Sequence, residues 1–436
     1  MSITLLTSSL FALSATAAVP AALPAPLAPN SITSEGAVYA MTNDFTGNSV
    51  VAYDRASDGT LTLIGEFATG GLGAAFDGGE GLDPLISAYA LLLTDNNDFL
   101  LAVNAGSDTV TAFRVNDDHS LTRTGRARSG GVGPNSIAYR NGFVVVSNVD
   151  ADGVFNGEPD QEGSLRTFRL TPEGRLIAVP LSRRVLENRP SAVQFTPDGS
   201  HIVVASINAG SQALSSQSED ELVVFEIDGV GRPSRFPTGR GASTLRDNAE
   251  NRNLASAIGF EILEQEGREF VVVTEAREFQ ADGSPPAFPA LQTGSVSTWE
   301  LLPNGSLDPI MLDVLAGTDF FDGQRTACWI EFSQDERTFW VSNALEATLS
   351  SYSFDNGVIS LIEEVSAEGN GAEPTNPFGT TDGWIDMWIS ADGRFLYQLY
   401  GLDGTIGVFG VRGAELTLLQ TVSDLPVENT QGIVAF

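Results

Sequence analysis

The feature that most constrains this chain is a unit of short strands that recurs along nearly its whole length. Residues 97–125, NDFLLAVNAGSDTVTAFRVNDDHSLTRTG, hold three apolar runs at 99–103, 109–114 and 121–125, separated by the polar turns AGSD and NDDH. Short period-two runs punctuated by Gly, Asn and Asp read as consecutive antiparallel strands. No single unit of this kind buries its apolar face alone, so the copies must stack on one another.

Followed through the chain, the pattern gives seven units. The first has strands at 37–41, 49–53 and 61–67 and is one strand short. The second runs over 85–128, the third over 135–186, and the fourth begins at 189 with PSAVQFTPDGSHIVVAS. The fifth covers 254–315, the sixth 326–365, and the seventh starts at 384 and includes RFLYQLY, TIGVFGV and LTLLQTV. One strand, TQGIVAF at 430–436, is left over. A closed ring follows, an all-β, seven-bladed β-propeller of four-stranded antiparallel blades in which the C-terminal strand completes blade 1 and sheet edges stay short. No sustained helical stripe appears; residues 243–258 are the best helical candidate.

Loop lengths are asymmetric. Turns from first to second strand (DNND, RNG, TPDG, EQEG, SQDE, SADG) and from third to fourth (ASDG, NDDH, TPEG, LPNG, DNG) are tight. The other two loop classes share the opposite face and carry the insertions at 70–84, 149–163, 208–220, 237–253, 276–293 and 366–383. Loops on a rigid scaffold are where binding and catalysis concentrate, so that face is the expected functional one.

Ahead of the ring, residues 1–18 read as a signal peptide, with an apolar run at 3–13 and the cleavage pattern Ala15-Thr16-Ala17. Residues 19–35 read as a Pro/Ala-rich tether, and 36–436 as the propeller. The expectation is a secreted protein. The 23 cationic residues are all arginine and face 56 acidic ones, a formal charge of -33. Such a surface repels phosphate backbones and anionic membranes, so neither nucleic acid nor a membrane is an expected partner. A monomer acting on a small molecule is expected. The single cysteine, Cys328, leaves no internal disulfide, and Asn304-Gly305-Ser306 is an N-glycosylation pattern in a turn.

The segments GAVYAMTN, GNSVVAYDRASDGTLT, LLAVNAGSDTVTAFRV, GPNSIAY and TACWIEFSQDERTFWVSN resemble secreted lactonase-like propellers, in the superfamily of bacterial 6-phosphogluconolactonases and fungal carboxymuconate cyclases. The resemblance spans roughly residues 36–436 and implies lactone ring opening or closure in an axial funnel, on a lactone or sugar-acid substrate. It also implies an Arg-His pair where this chain has Asn135-Ser136, a glutamate at Trp329 and an arginine at Ala344. Those three family positions are not carried over.

The two histidines, His119 and His201, fall in tight turns of the face opposite the large loops, which argues against Ser–His–Asp or Cys–His chemistry and against a His/Cys zinc site. Both read as solvated turn residues, and Cys328 as a small buried apolar side chain. Lactone hydrolysis needs a base to activate water and a cation or donors for the oxyanion. Glu275 is the expected base, with Arg189 or Arg277 stabilising the oxyanion. Asn135, Trp329, Asp386, Arg325 and Asn343 are expected to line the substrate site. No cofactor is required on this reading. A calcium ion held by Asn148, Asn208, Glu275 and Asp386 is the metal alternative, and the carboxylate-rich loop 150–162 reads as solvated. A non-catalytic propeller that binds a glycan, a peptide or a surface partner is the competing class.

Overall fold

The computed structural model describes residues 34–76, 83–149, 163–207, 221–242, 256–276, 293–317, 323–369, 383–427 and 429–436. The expected signal peptide and tether, Arg277, Asn208 and most of the large insertions lie outside the described residues. So does most of the helical candidate; its described end opens the strand Ser256–Gln265. A single 3-10 turn, Ala105–Ser107, is the only helical element among the described residues.

The described strands form seven antiparallel sheets. Blade 1 is ordered from the axis outwards as Ile433–Ala435, Ser34–Met41, Ser49–Ala56 and Leu61–Ala68. The C-terminal strand pairs with the first through Val38–Ala435, Tyr39–Val434 and Ala40–Ile433, so the ring closes as the leftover strand requires. The remaining innermost strands are Leu91–Leu93, Pro134–Arg140, Arg189–Phe195, Ser256–Gln265, Ala327–Phe332 and Trp384–Ile389. Blade 3 departs from the pattern, because its outer strand is broken into Leu176–Ala178 and Arg184–Leu186.

Sequence explains this layering directly. Second strands such as FLLAVN and TFWVSN lie between two blades and are buried almost throughout, whereas outer strands such as LTRTGRAR have one face in solvent. The tight turns repeat one device. The hydroxyls of Thr196, Ser333 and Ser390 donate to Asp198, Asp335 and Asp392 at 2.6–2.7 Å, and each aspartate also accepts the backbone N–H two residues further on.

Closure is reinforced on the tight-turn face. Arg55, nearly fully buried, donates to the carbonyls of Phe436 (3.2 Å) and Glu35 (2.9 Å) and pairs with Asp392 of blade 7 at 3.2 Å. Burial pushes the Asp392 carboxyl up, yet the bonds from Ser390 and Arg394 and the Arg55 charge together hold it below the ordinary carboxylate range. Gly36 is required there, because a Cβ would stand 1.9 Å from the Phe436 carbonyl oxygen. The histidines are on this face as expected but are less solvated than expected, His119 half-buried and His201 buried. His119 sits edge-on to Phe436 with Nδ1 3.0 Å from Asp54, and His201 is only 6% exposed.

Candidate functional site

The axis of the ring is not an open funnel at its loop end. The chain entering blade 2 crosses it, and residues 87–89 bond to five other blades. The Ser87 hydroxyl donates to the Asn135 carbonyl of blade 3 at 2.9 Å, while the Ser87 carbonyl accepts from Trp329 Nε1 of blade 6 (3.2 Å) and Gln431 Nε2 of blade 1 (2.6 Å). Ala88 N–H donates to Ser191 of blade 4 at 3.1 Å. The Tyr89 hydroxyl donates to the Phe260 carbonyl of blade 5 at 2.5 Å and lies 3.0 Å from Glu261 Oε1. Ile86 and Tyr89 take φ of 47° and 62°, conformations that bulky and β-branched residues rarely adopt. Such strain persists only where surrounding bonds over-determine it.

Beneath this plug lies a group of carboxyls. A bulge recurs between the third and fourth strands of blades 1, 2, 5, 6 and 7 and marks one common rung. Traced inward, that rung ends on Val434, Leu92, Glu261, Glu331 and Trp388. Gln194 of blade 4 reaches the same level, donating to the Phe260 carbonyl at 2.7 Å. Two glutamates on neighbouring blades therefore share a level of an otherwise largely apolar ring. Asp386 of blade 7 stands above them, accepting the Gly432 N–H.

Their electrostatics follow from burial. Desolvation pushes the Glu261 carboxyl up to about 7 despite opposing hydrogen bonds from Tyr89 and Gln194. Glu331, buried, accepts the Ile389 N–H at 3.2 Å; desolvation, followed by the charges of Glu261 and Asp386, holds it well above the carboxylate range. Asp386 is raised by burial and by Asp83. Neighbouring carboxyls in a low dielectric cannot all ionise, so protons are shared among them. Burial and then Glu261 raise the Tyr89 hydroxyl well above its usual value, keeping it a donor. Glu261, Gln194 and Trp388 keep partial solvent access below the plug.

The residues expected from the sequence are placed differently. Glu275 is fully buried, and its two oxygens accept the Ser295 and Ser297 hydroxyls of the adjacent strand at 2.5 Å. Asn343 occupies the corresponding position in blade 6, donating to Thr348 (3.2 Å) and Ser350 (2.8 Å), and Asn104 does so in blade 2 with Thr109 and Thr111. Glu275 and Asn343 are thus strand clamps turned into their own blades. Asn135 is likewise bound within the wall, to the Pro190 carbonyl (2.7 Å) and the Ser147 hydroxyl (2.8 Å). The Arg189 guanidinium stacks on Phe76 at 5.1 Å, and Arg325 pairs with Glu346.

Trp329 and Asp386 do face the axis with the acid pair. Asn148 is buried in blade 3, and no group of three or more His, Cys, Asp or Glu able to hold a metal occurs among the described residues. Of the expected calcium set, Asn148 and Asp386 are buried, Glu275 has both oxygens hydrogen-bonded, and Asn208 lies outside the described residues. Cys328 is buried, its thiol pushed up by desolvation and by Asp83, as the apolar reading expects.

Sequence reasoning missed Glu261, Glu331 and Tyr89. Its available signal was a carboxylate flanked on both sides by apolar residues of an inner strand, twice, in GFEIL and WIEF.

No protein-family model and no curated protein sequence matches this chain. Solved structures do. The chain is similar to a protein of Bacteroides fragilis named as a candidate 6-phosphogluconolactonase, at 15% identity and TM-score 0.60, over 94% of this chain and 100% of that one. It is similar to the periplasmic gluconolactonase of Pseudomonas aeruginosa at 15% identity and TM-score 0.59, over 91% and 98%. A hypothetical selenium-binding protein of Sulfolobus tokodaii aligns at 10% identity and TM-score 0.58, over 92% and 93%. At these identities the likeness is one of fold. The seven-bladed propeller architecture is what they share, and a fold by itself assigns no chemistry.

Proposed function

We propose that this chain is a lactone-handling propeller in which Glu261 and Glu331 act as an acid–base pair at the axis. The observation that carries this reading is the shared rung of two neighbouring carboxyls, one poised at about 7, with the Tyr89 hydroxyl 3.0 Å from Glu261. A carboxyl tuned towards neutrality is the group that general acid–base catalysis requires. Lactonase names among its structural neighbours support the substrate class.

In hydrolysis, the ionised member of the pair takes a proton from water as its oxygen bonds to the lactone carbonyl carbon. The ring C–O bond then breaks, and the protonated member gives its proton to the departing ring oxygen, yielding a hydroxy acid. Tyr89 and Gln194 are the donors nearest this pair. A net charge of -33 favours neutral lactones over phosphorylated ones. Export belongs to the same proposal, supported by the apolar run at 3–13 with Ala15-Thr16-Ala17 and by the periplasmic description of one neighbour.

The test is turnover of neutral, carboxylated and phosphorylated lactones by the wild type, by Glu331→Gln and by Glu261→Gln. Hydrolysis of at least one lactone, lost in both variants while they stay folded, supports the reading. No turnover, or turnover untouched by either substitution, overturns it. The plug at 87–89 favours a second reading, a binding module whose filled axis serves rigidity. Saturable glycan or peptide binding without turnover would select it.

A further inference from the structure

We propose that copies of this chain associate rim to rim, the arginine-rich outer edge of blades 2–4 of one copy lying against the acidic outer edge of blades 6 and 7 of the next. The charge on this wheel is strongly polarised. Residues 121–128, 171–186 and 227–242, which hold the outer strands of blades 2, 3 and 4, carry nine of the 23 arginines and only two acids, Glu173 and Asp228; Glu187, just beyond the second stretch, pairs with Arg240. On the other side, residues 356–369 and 413–427 hold five acids, Glu363, Glu364, Glu368, Glu415 and Asp424, and no arginine. Nothing in the blade fold requires such segregation, and it runs against a net charge of -33.

Both edges also display apolar side chains. Leu181 and Phe236 are 79% and 70% exposed on the basic side, beside the exposed Ile177, Val185 and Val230. The acidic side exposes Val358, Ile362, Val365, Leu418 and Leu419. Leu181 adopts φ 63°, which is strained for leucine and presents an apolar side chain to water. It lies in the break of the blade 3 outer strand. That break is tied to blade 4: Arg184 Nε donates to the Ser234 carbonyl at 2.7 Å, and Arg232 Nε to the Pro180 carbonyl at 3.1 Å. The basic rim is therefore one continuous surface across two blades.

A second copy of the chain is the partner whose chemistry fits. It offers a surface opposite in charge and matched in apolar content, at the same concentration as its target. Arginine forks meeting carboxylates would set the register, and the aliphatic side chains would provide the buried area. The two edges are different patches of one molecule, so the contact is head-to-tail.

Sedimentation velocity of the full chain tests this, from about 0.01 M to about 1 M NaCl, where the screening length falls from about 30 Å to about 3 Å. The expected result is concentration-dependent association at low salt that dissociates at high salt. Arg175→Glu with Arg235→Glu, and separately Glu363→Arg with Glu415→Arg, should each weaken self-association by about tenfold or more. Mixing the two reversed proteins should restore association. All these positions are exposed, and unchanged thermal transitions would certify the fold. A monomer at every concentration in low salt overturns the proposal. So does association indifferent to charge reversal, or a mixed pair that stays apart.

Discussion

Glu275 and Glu331 are buried glutamates on neighbouring blades, and their surroundings could hardly differ more. Glu275 stands where a second strand gives way to its loop, with a serine hydroxyl on each oxygen. Glu331 lies on the axis, accepts one backbone N–H and faces a second glutamate. A carboxylate given matched donors has its charge satisfied and becomes part of the wall. One placed beside another carboxyl in a low dielectric holds its proton. Burial alone therefore does not mark a catalytic acid; its partners do.

The sharpest way to break this contrast is kinetic. Glu331→Gln should lower kcat by about 10²–10⁴-fold on any lactone that turns over, the usual contribution of a general acid or base. Glu275→Gln should stay within about threefold of wild type. Steady-state rates on purified, folded variants decide it, and a larger loss at Glu275 reverses the assignment.

Stability should rank the two residues the other way. Glu275→Ala leaves two buried hydroxyls without their acceptor and should cost about 2–4 kcal/mol in urea unfolding. Glu331→Gln removes a charge that the folded state disfavours, so it should cost little above neutral pH. Equal losses would mean that both glutamates are structural.

The pH profile sharpens the comparison further. A carboxyl raised from 4.5 unfolded to about 7 folded makes no difference to stability below 4.5, where both states are protonated. As pH climbs to about 7, the unfolded state releases its proton first and folding loses stability. The Glu261 contribution to this loss is up to about 3 kcal/mol. Glu261→Gln should flatten the slope between pH 4.5 and 7 in urea midpoints, and an unchanged slope would remove the acid pair from the account.

The smallest expected effect is that of Tyr89→Phe, which deletes the hydroxyl bonded to Phe260 and Glu261. It should cost about 1–2 kcal/mol and raise the Glu261 titration, detectable by NMR of a labelled glutamate carboxyl. A lowered titration would mean that Tyr89 is not its donor.

Part of this contrast was legible in the sequence. After Asn104 comes T-V-T at 109–111, after Asn343 comes T-L-S at 348–350, and after Glu275 comes S-V-S at 295–297. Two hydroxyls one residue apart on the third strand are the signature of the clamp, and aligning the blades on it places Glu275 in the wall. The intervening insertion of unequal length hid that match. Glu261 and Glu331 were visible as charges in apolar inner strands, but the bulge register that puts them on one rung was not. The crossing of the axis by 87–89 has no local sequence signal, since, apart from the Ser87 N–H bond to Asp83, Ser-Ala-Tyr bonds to residues 48 to 344 positions away.

Strand period, turn chemistry and the unpaired first and last segments together determined a closed seven-bladed wheel, because each is a short-range consequence of where apolar and hydrogen-bonding groups fall along the chain. Which acids meet at the axis, which are silenced by hydroxyls, and that the axis is plugged were decided only by tertiary structure. Those outcomes depend on through-space distances across the ring, where burial and neighbouring charge, rather than residue type, set the state of a carboxyl.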